Sequence, residues 1–201
     1  MGVYIDQHLN WKEHINNISS KIAKTVGVLF RSSKLIPVSI RSMLYYSLIY
    51  PYLTYCNLIW TSTYKSNFIR LVTLQKYAIR FIANIPRRAH TALYFKEFGL
   101  LKIDQIRHLQ IGEFMYRYNH GLLPLVFNDF FNLTSDRHSY STRKLTVYDL
   151  PYAHNNTRRF SIQYTGSQCW NSLPTHLHSL PNTRLFKHKL RLYLLKTLPD
   201  M

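Results

Sequence analysis

Few side chains in this sequence have the types and spacing that metal chemistry needs. Of the ten histidines, His176, His178 and His188 form the densest group, but no cysteine or carboxylate completes a ligand set with them. Cys56 and Cys169 stand far apart, so they predict neither a disulfide framework nor a zinc knuckle. We therefore expect no metal site in this chain, and we expect these histidines on a polar surface.

The carboxylates are too dispersed for phosphoryl transfer, which in two-metal sites needs at least two of them close together. Asp104 and Glu113 are far apart along one predicted helix, and Asp129, Asp136 and Asp149 are isolated. The six glycines do not cluster into a phosphate-binding loop, and no G-x-S-x-G turn occurs. The sequence by itself predicts no catalytic residue.

Lysine and arginine offer a different chemistry, the binding of a polyanion. They number 26 against nine acidic residues, which gives a net charge of +17, and no acidic residue lies between His14 and Lys96. Nucleic acid is the commonest partner of such an excess, and an acidic membrane surface is the lesser alternative. The predicted nucleic-acid-binding residues are Lys21, Lys24, Arg31, Lys34, Arg70, Lys76, Arg80, Arg87 and Arg88. Two alternatives remain: a polar helix face in contact with solvent, or Arg87 and Arg88 stabilising the dipole of the helix that ends just before them.

Two amphipathic helices must position these cations. The first is predicted over residues 11–34, with Asn10 as its N-cap and Glu13 completing a capping box. Its apolar side holds Trp11, Ile15, Ile18, Ile22, Val26 and Leu29, opposite its lysines and Arg31. The second is predicted over residues 66–85 and ends at Pro86. Its apolar side holds Phe68, Leu71, Leu74, Ala78, Ile82 and Ile85, while Tyr77 lies with the cations.

Between the two helices lies an uncharged run over residues 42–64, SMLYYSLIYPYLTYCNLIWTSTY. About 20 such residues could cross a bilayer. Tyrosines spread through the middle of the run and the helix-breaking Pro51 favour instead two packed helical pieces at the centre of the domain. The first piece is predicted to start at Pro37. We expect no membrane partner.

The remaining chain predicts shorter elements. Helices are expected over residues 91–98, closed by Gly99, over residues 104–120, closed by Gly121, and over residues 123–133. Residues 134–168 read as an irregular linker with at most two short strands, at residues 145–148 and 160–164. A last amphipathic helix begins near Thr183. The expected fold is mainly α, a helical bundle with a short N-terminal strand and an irregular, weakly β linker before the C-terminal helices.

Several stretches in a fixed order carry a resemblance that covers nearly the whole chain. They are GVYID with LNWKEHI, LYYSLIYPYLTYCNLIW, LQKYAIRFI, GLLKI, STR at residues 141–143, CWNSLP at residues 169–174, and FKHKLRLYLL. This order resembles the C-terminal part of reverse transcriptases of non-LTR retrotransposons (long interspersed elements), especially the jockey-like type.

The resemblance implies a non-catalytic fragment of an RNA-directed DNA polymerase. The family's catalytic aspartates lie in a palm turn that nothing here matches, so Mg²⁺ is expected only with the missing palm, and Asp6 is not a metal ligand. Residues 1–10 would end a palm-like strand, and residues 11–133 would form a helical thumb-like domain that holds the template–primer through its backbone. Residues 134–168 would form the linker, and residues 169–201 a C-terminal helical segment.

The implied partners are the RNA/DNA template–primer and the missing palm and fingers of the parent polymerase. No secretory signal is present, so we expect a nuclear or cytoplasmic protein. The alternatives are a decayed transposon open reading frame without independent activity and a membrane-associated helical protein. Without a palm, the apolar sides of Trp11 and Ile15 would be left partly uncovered.

Overall fold

The computed structural model describes residues 2–134 and 148–197, and these residues are mainly helical, as expected. The α-helices are α1 (Lys12–Arg31), α2 (Val38–Leu48), α3 (Tyr50–Thr54), α4 (Asn57–Trp60), α5 (Ile69–Ala83), α6 (Ala92–Glu97), α7 (Ile103–Asn119), α8 (Asn156–Phe160), α9 (Ile162–Ser172), α10 (Thr175–His178) and α11 (Thr183–Lys196). The predicted N-terminal strand is not confirmed, because residues 2–6 belong to neither a helix nor a strand.

The chain divides into two compact units. Unit 1 comprises the chain up to Arg107 together with the residues from Leu194 onward, and unit 2 comprises His108–Tyr193. Unit 1 therefore contains every cation of the predicted nucleic-acid-binding set.

Asp6 shapes the start of α1. Its Oδ1 accepts the backbone N–H groups of His8 and Asn10, both at 3.0 Å, and its Oδ2 accepts that of Trp11 at 2.8 Å. The bond from Asn10, followed by those from Trp11 and His8, holds the pKa of Asp6 below its ordinary value. The expected capping box is wrong, since the N-cap position is Trp11, in a left-handed conformation with φ 62°, and Asn10 accepts from Lys12.

The apolar side of α1 was predicted correctly. All six of its members are buried, and Trp11 and Ile15 are only 5% and 1% exposed. The expectation that these two residues would be left uncovered is therefore wrong. Full burial of a side chain such as Ile15 contributes about 1.5–3 kcal/mol, which makes this stripe a main stabilising feature of unit 1. Helix α1 packs against α5, and α5 packs also against α2 and α6.

The uncharged run over residues 42–64 folds into several short pieces. Helix α2 ends before Ile49, α3 contains Pro51 in its first turn, and α4 follows, so the predicted break near the proline is confirmed. Tyr45 and Trp60 are fully buried, whereas Tyr64 at the end of the run is 52% exposed, so the run is only partly a core. Within the described ranges, no helix is both long and apolar enough to span a bilayer.

Arg41 is a buried cation at the start of this run. Its guanidinium and Nε donate to carbonyl oxygens of Ile36 at 3.1 Å, Ser33 at 2.9 Å and Phe81 at 3.0 Å, and to Oδ1 of Asn84 at 2.8 Å. These acceptors lie after α1, before α2 and at the end of α5. One side chain therefore ties three segments of unit 1 together without a carboxylate.

Gln75 plays a similar part on α5. Its amide nitrogen donates to the hydroxyl of Tyr45 at 2.9 Å and to the carbonyl of Leu101 at 2.8 Å, and its amide oxygen accepts the backbone N–H of Ile103 at 3.1 Å. It is 2% exposed. A polar residue of the LQKYAIRFI stretch is thus a buried link between α5, α2 and the start of α7.

Glycines end α6 and α7 as predicted, since Gly99 and Gly121 adopt φ values of 61° and 63° in the left-handed region that favours glycine. The predicted helix over residues 123–133 is wrong. Only a three-residue 3₁₀ turn, Leu125–Phe127, forms there. Leu125 and Val126 are 83% and 81% exposed, so these two apolar residues lack the packing that would stabilise a helix there.

The predicted irregular linker contains two helices, α8 and α9, so the strand expected at residues 160–164 is wrong. The expected strand at residues 145–148 lies outside the described residues except for Tyr148, which forms a single antiparallel bridge with Leu133. Asn155 and Ser161 cap α8 and α9 by accepting the backbone N–H groups of Arg158 at 2.9 Å and Tyr164 at 3.4 Å. These two caps are the sequence signals that were missed.

Unit 2 has an interior of stacked rings. Trp170 lies flat on His178, with ring centres 4.2 Å apart and planes 7° apart, and Tyr116 stacks on Phe186 at 4.5 Å. The Tyr116 hydroxyl donates to the carbonyl of Leu180 at 2.6 Å, and burial raises its pKa. Helix α9 supplies Trp170 and α11 supplies Phe186, so these buried rings stabilise both helices, including α9, whose sequence is largely polar.

Asn171, in the CWNSLP stretch, fastens Tyr148 to α9. Its Oδ1 accepts the backbone N–H of Tyr148 at 3.0 Å, and its amide donates to the carbonyl of the same residue at 2.8 Å. Burial and, to a lesser extent, neighbouring Tyr118 raise the pKa of the Tyr148 hydroxyl to about 12. The stretch therefore has a structural role in unit 2.

Candidate nucleic-acid interface

Helix α1 places its cations on the side away from the core. Lys21, Lys24 and Arg31 are exposed, and Lys34 follows α1 in an exposed turn. At about 100° per residue, Lys24 and Arg31 lie on nearly the same line along the helix, whereas Lys21 is rotated by about 80° from Arg31. The predicted basic face of α1 is thus present, but it is broad.

Helix α5 carries a second group of cations. Arg70 and Lys76 are exposed and Arg80 is half-buried. Around the helix axis, Arg70 and Tyr77 differ by about 20° and therefore share one side of α5, whereas Lys76 lies about 120° away from Arg70 on another side. Helix α5 ends at Ala83, three residues before Pro86, and its C-cap is Asn84 in the left-handed conformation.

Tyr77 organises the end of this group. The guanidinium carbons of Arg80 and Arg87 lie 5.3 Å and 5.2 Å from the centre of its ring, within cation–π range. Arg80 also donates from Nε to the carbonyl of Ala89 at 2.9 Å, so it holds the loop that carries Arg87 and Arg88. Arg87 and Arg88 themselves are exposed. Arg80 is therefore a positioning residue for the cations beyond the helix.

A groove between α1 and α5 has a cavity volume of about 410 Å³, and we refer to it as the α1–α5 groove. Its walls include Ala23, Gly27 and Phe30 on α1, Leu74 and Tyr77 on α5, and Arg87 in the following loop. A Cβ atom built on Gly27 would lie 3.7 Å from the guanidinium nitrogen Nη1 of Arg31. Arg87 therefore lines this groove, and Arg31 lies beside Gly27, one of its lining residues.

Lys21 lies at a different place on α1. It lines a small cavity of about 20 Å³ with Gly2, His14, Tyr52 and Tyr55. Burial, with a smaller contribution from the charge of Lys21, lowers the pKa of His14 below its ordinary value. The backbone N–H of Tyr4 donates to Nδ1 of His14, with the two nitrogens 3.4 Å apart.

The predicted residues therefore form two sets. Arg87 lines the α1–α5 groove, Arg31 lies beside its Gly27 and Arg80 lies over its Tyr77. Arg88 follows Arg87 in the chain, and Lys24 and Arg70 continue along the two helices. Lys21, Lys34 and Lys76 lie elsewhere on unit 1. The nine cations do not form a single row.

The charge of this surface is not neutralised within the described chain. Lys187 and Glu113 form an ion pair at 2.8 Å in unit 2, whereas none of the nine predicted cations is seen in such a pair within the described residues. The segment that carries them contains no acidic residue. The eight exposed side chains of this set are therefore available to an external anion, whereas Arg80 is held by Tyr77 and the carbonyl of Ala89.

Sequence reasoning missed the parts of this surface that are not charged. Phe30 and Gly27 line the groove. Arg41, which was not a candidate, is buried, with its guanidinium carbon 5.2 Å from the ring centre of Phe81, the ring against which Phe30 packs. The placement of Tyr77 three residues before Arg80 was a usable signal, because residues at that spacing meet on a helix surface. Among the described residues, no three histidine, cysteine or acidic side chains gather as metal ligands would, and His178 is stacked on Trp170.

The fold and this surface define a helical protein with a basic interface in an acid-free segment. No protein-family model, curated protein or solved structure matches the chain.

Proposed function

We propose that unit 1 binds nucleic acid without sequence preference, as a non-catalytic, thumb-like fragment of a retrotransposon reverse transcriptase. Its ligand is the template–primer duplex, held through phosphates and 2′-hydroxyls rather than base edges. The proposal includes a nuclear or cytoplasmic location, where such a duplex is found. The upstream palm and fingers of the parent polymerase, with their Mg²⁺, are the other partners.

One observation carries the proposal: eight of the nine predicted cations are exposed, and none is paired to a carboxylate within the described ranges. Exposed cations that served only solubility would not need a segment free of acids. Because each phosphate contact releases counterions, binding through these residues must weaken steeply with salt.

The test is fluorescence anisotropy of a labelled RNA–DNA hybrid titrated with the full chain between about 50 and 200 mM salt. We expect binding at low salt, a linear decrease of log affinity with log salt, and equal affinity for a hybrid of unrelated sequence. In the triple variant Lys24→Gln, Arg31→Gln, Arg70→Gln, the salt slope should fall by about one for each phosphate that the variant no longer neutralises.

A matched variant removes the same charge from unit 2, through Arg158→Gln, Arg159→Gln and Lys189→Gln, all exposed positions. Its salt slope should remain that of the unchanged chain. Absence of hybrid binding at low salt, or an affinity that does not respond to salt, would contradict the proposal.

A second candidate is a decayed open reading frame whose product has no independent activity. The apolar surface of α2 favours it, since Ile40, Met43 and Leu48 are 43%, 66% and 42% exposed and Leu35 nearby is 86% exposed. Exposed apolar surface of this kind indicates a missing partner. A chain that binds no hybrid and does not unfold cooperatively as a monomer would favour this candidate, whereas cooperative thermal unfolding of a monomer would contradict it.

A further inference from the structure

The α1–α5 groove offers flat aromatic surfaces to a ligand. Phe30 is half-buried, and its ring is held edge-on against Phe81 with centres 5.9 Å apart and planes 61° apart. Tyr77 is also half-buried, and its ring carries the guanidinium groups of Arg80 and Arg87. Nucleobases stack on aromatic rings and on guanidinium planes, so this wall chemistry suits a base.

The groove also has the charge that a phosphate requires. Arg31 and Arg87 are exposed at its edge, and neither is paired to a carboxylate within the described chain. Arginine binds phosphate with two parallel hydrogen bonds. An apolar floor beside two arginines therefore matches a ligand with one aromatic part and one anionic part.

The size of the groove limits the occupant. A volume of about 410 Å³ is at the lower end of the range for pockets that take small molecules, about 300–1,000 Å³. An amphipathic helix of another protein would need a longer groove with anchors over two turns. A single nucleotide places its base against the aromatic side chains and its phosphate beside the arginines.

We propose that the α1–α5 groove holds one unpaired nucleotide of the bound nucleic acid, with its base against Phe30 and Tyr77 and its phosphate at Arg31 and Arg87. This rests on the proposed function, to which it adds a contact that a fully paired duplex cannot make. The unit then prefers a duplex with a single-stranded overhang to a blunt one.

The experiment compares two labelled RNA–DNA hybrids of identical paired sequence, one blunt and one with a three-nucleotide overhang, in titrations with the full chain at fixed low salt. A stacked base is worth about 1–3 kcal/mol, so the overhang should tighten binding by roughly 5- to 150-fold. In Gly27→Leu, which fills the groove without changing charge, the ratio of the two affinities should fall to about one.

Gly27→Leu is suited to this test because a Cβ at this position meets only Arg31, at 3.7 Å, and leucine forms helix more readily than glycine. Ala23→Leu is the second groove-filling variant. Val28→Leu, at a 52% exposed position on another side of α1, is the matched control and should keep the preference. Circular dichroism establishes that each variant is folded.

The outcomes separate the two proposals. Equal affinity for both hybrids, or a preference that survives both groove-filling variants, overturns the nucleotide site and leaves duplex binding intact. Failure to bind either hybrid at low salt overturns the proposed function, and the nucleotide site with it. An overhang preference that disappears in Gly27→Leu and Ala23→Leu but persists in Val28→Leu supports both.

Discussion

The two compact units build their interiors from different chemistry. Of the nine buried polar side chains among the described residues, eight belong to unit 1 and only Ser167 to unit 2. In unit 1, Arg41 and Gln75 join helices by hydrogen bonds to backbone carbonyls. In unit 2, stacked rings such as Trp170 on His178 join the helices instead.

This difference has a consequence for the surfaces. Hydrogen bonds are directional, so a fully satisfied buried network specifies one arrangement of the helices it joins. Arg41 in this way determines how the ends of α1 and α5 lie, and these helices carry the candidate interface. Ring stacking in unit 2 gains stability mainly from buried area, and unit 2 carries none of the predicted cations.

The largest expected effect is that of Trp170→Ala, which removes the central ring of unit 2. Trp170 is fully buried and contacts both His178 and Phe186, so the free energy of unfolding should fall by about 3–5 kcal/mol. Urea unfolding followed by far-ultraviolet circular dichroism measures it. Tyr152→Ala, at a 76% exposed position, should change it by less than about 0.5 kcal/mol. A small decrease in Trp170→Ala would show that ring stacking does not hold unit 2.

Arg41→Met should be somewhat less damaging. Methionine keeps the apolar stem but leaves four acceptors in unit 1 without their donor, so the free energy of unfolding should fall by about 2–3 kcal/mol. The control is Arg70→Met, an exposed arginine on α5, which should be nearly neutral for stability. If the two variants were equally stable, the polar network would not be what joins α1 to α5.

The smallest effect is a dependence of unit 1 stability on pH through His14. Burial lowers its pKa in the folded chain below the value near 6.5 of the unfolded chain, so the unfolded state takes up the proton first. Stability should be complete above about pH 6.5 and decline as the pH falls below it, until the pH passes the folded-state pKa. Thermal unfolding across this range measures the decline. His14→Gln should flatten the profile.

Much of unit 1 could be predicted because its helices are periodic. The bounds of α1 and all six residues of its apolar side follow from the spacing of large side chains, which only one helical face can bury together. The same reasoning failed for residues 156–172, whose polar composition concealed α8 and α9. A Cβ at Gly166 would lie only 2.8 Å from the sulfur of Met115. Close packing, which sequence periodicity does not reveal, therefore holds α9 in place.

The candidate interface was predictable in composition but not in arrangement. An acid-free segment with cations on the polar sides of two helices indicates an exposed basic surface, and eight of the nine residues are exposed. That Arg87 lines a groove next to Arg31, which is far away in the chain, depends on how α1 packs against α5. That packing is a long-range property, and no local spacing encodes it.

The amino-acid sequence by itself determined which residues of unit 1 are helical, which of their faces are apolar and where positive charge accumulates, because these properties depend on neighbours three or four positions away. Only the tertiary structure decided that Arg41 is buried while Arg31 and Arg87 are presented together, and that a polar stretch becomes α9. Both outcomes depend on contacts between distant segments, whose free energy is gained only when those segments meet.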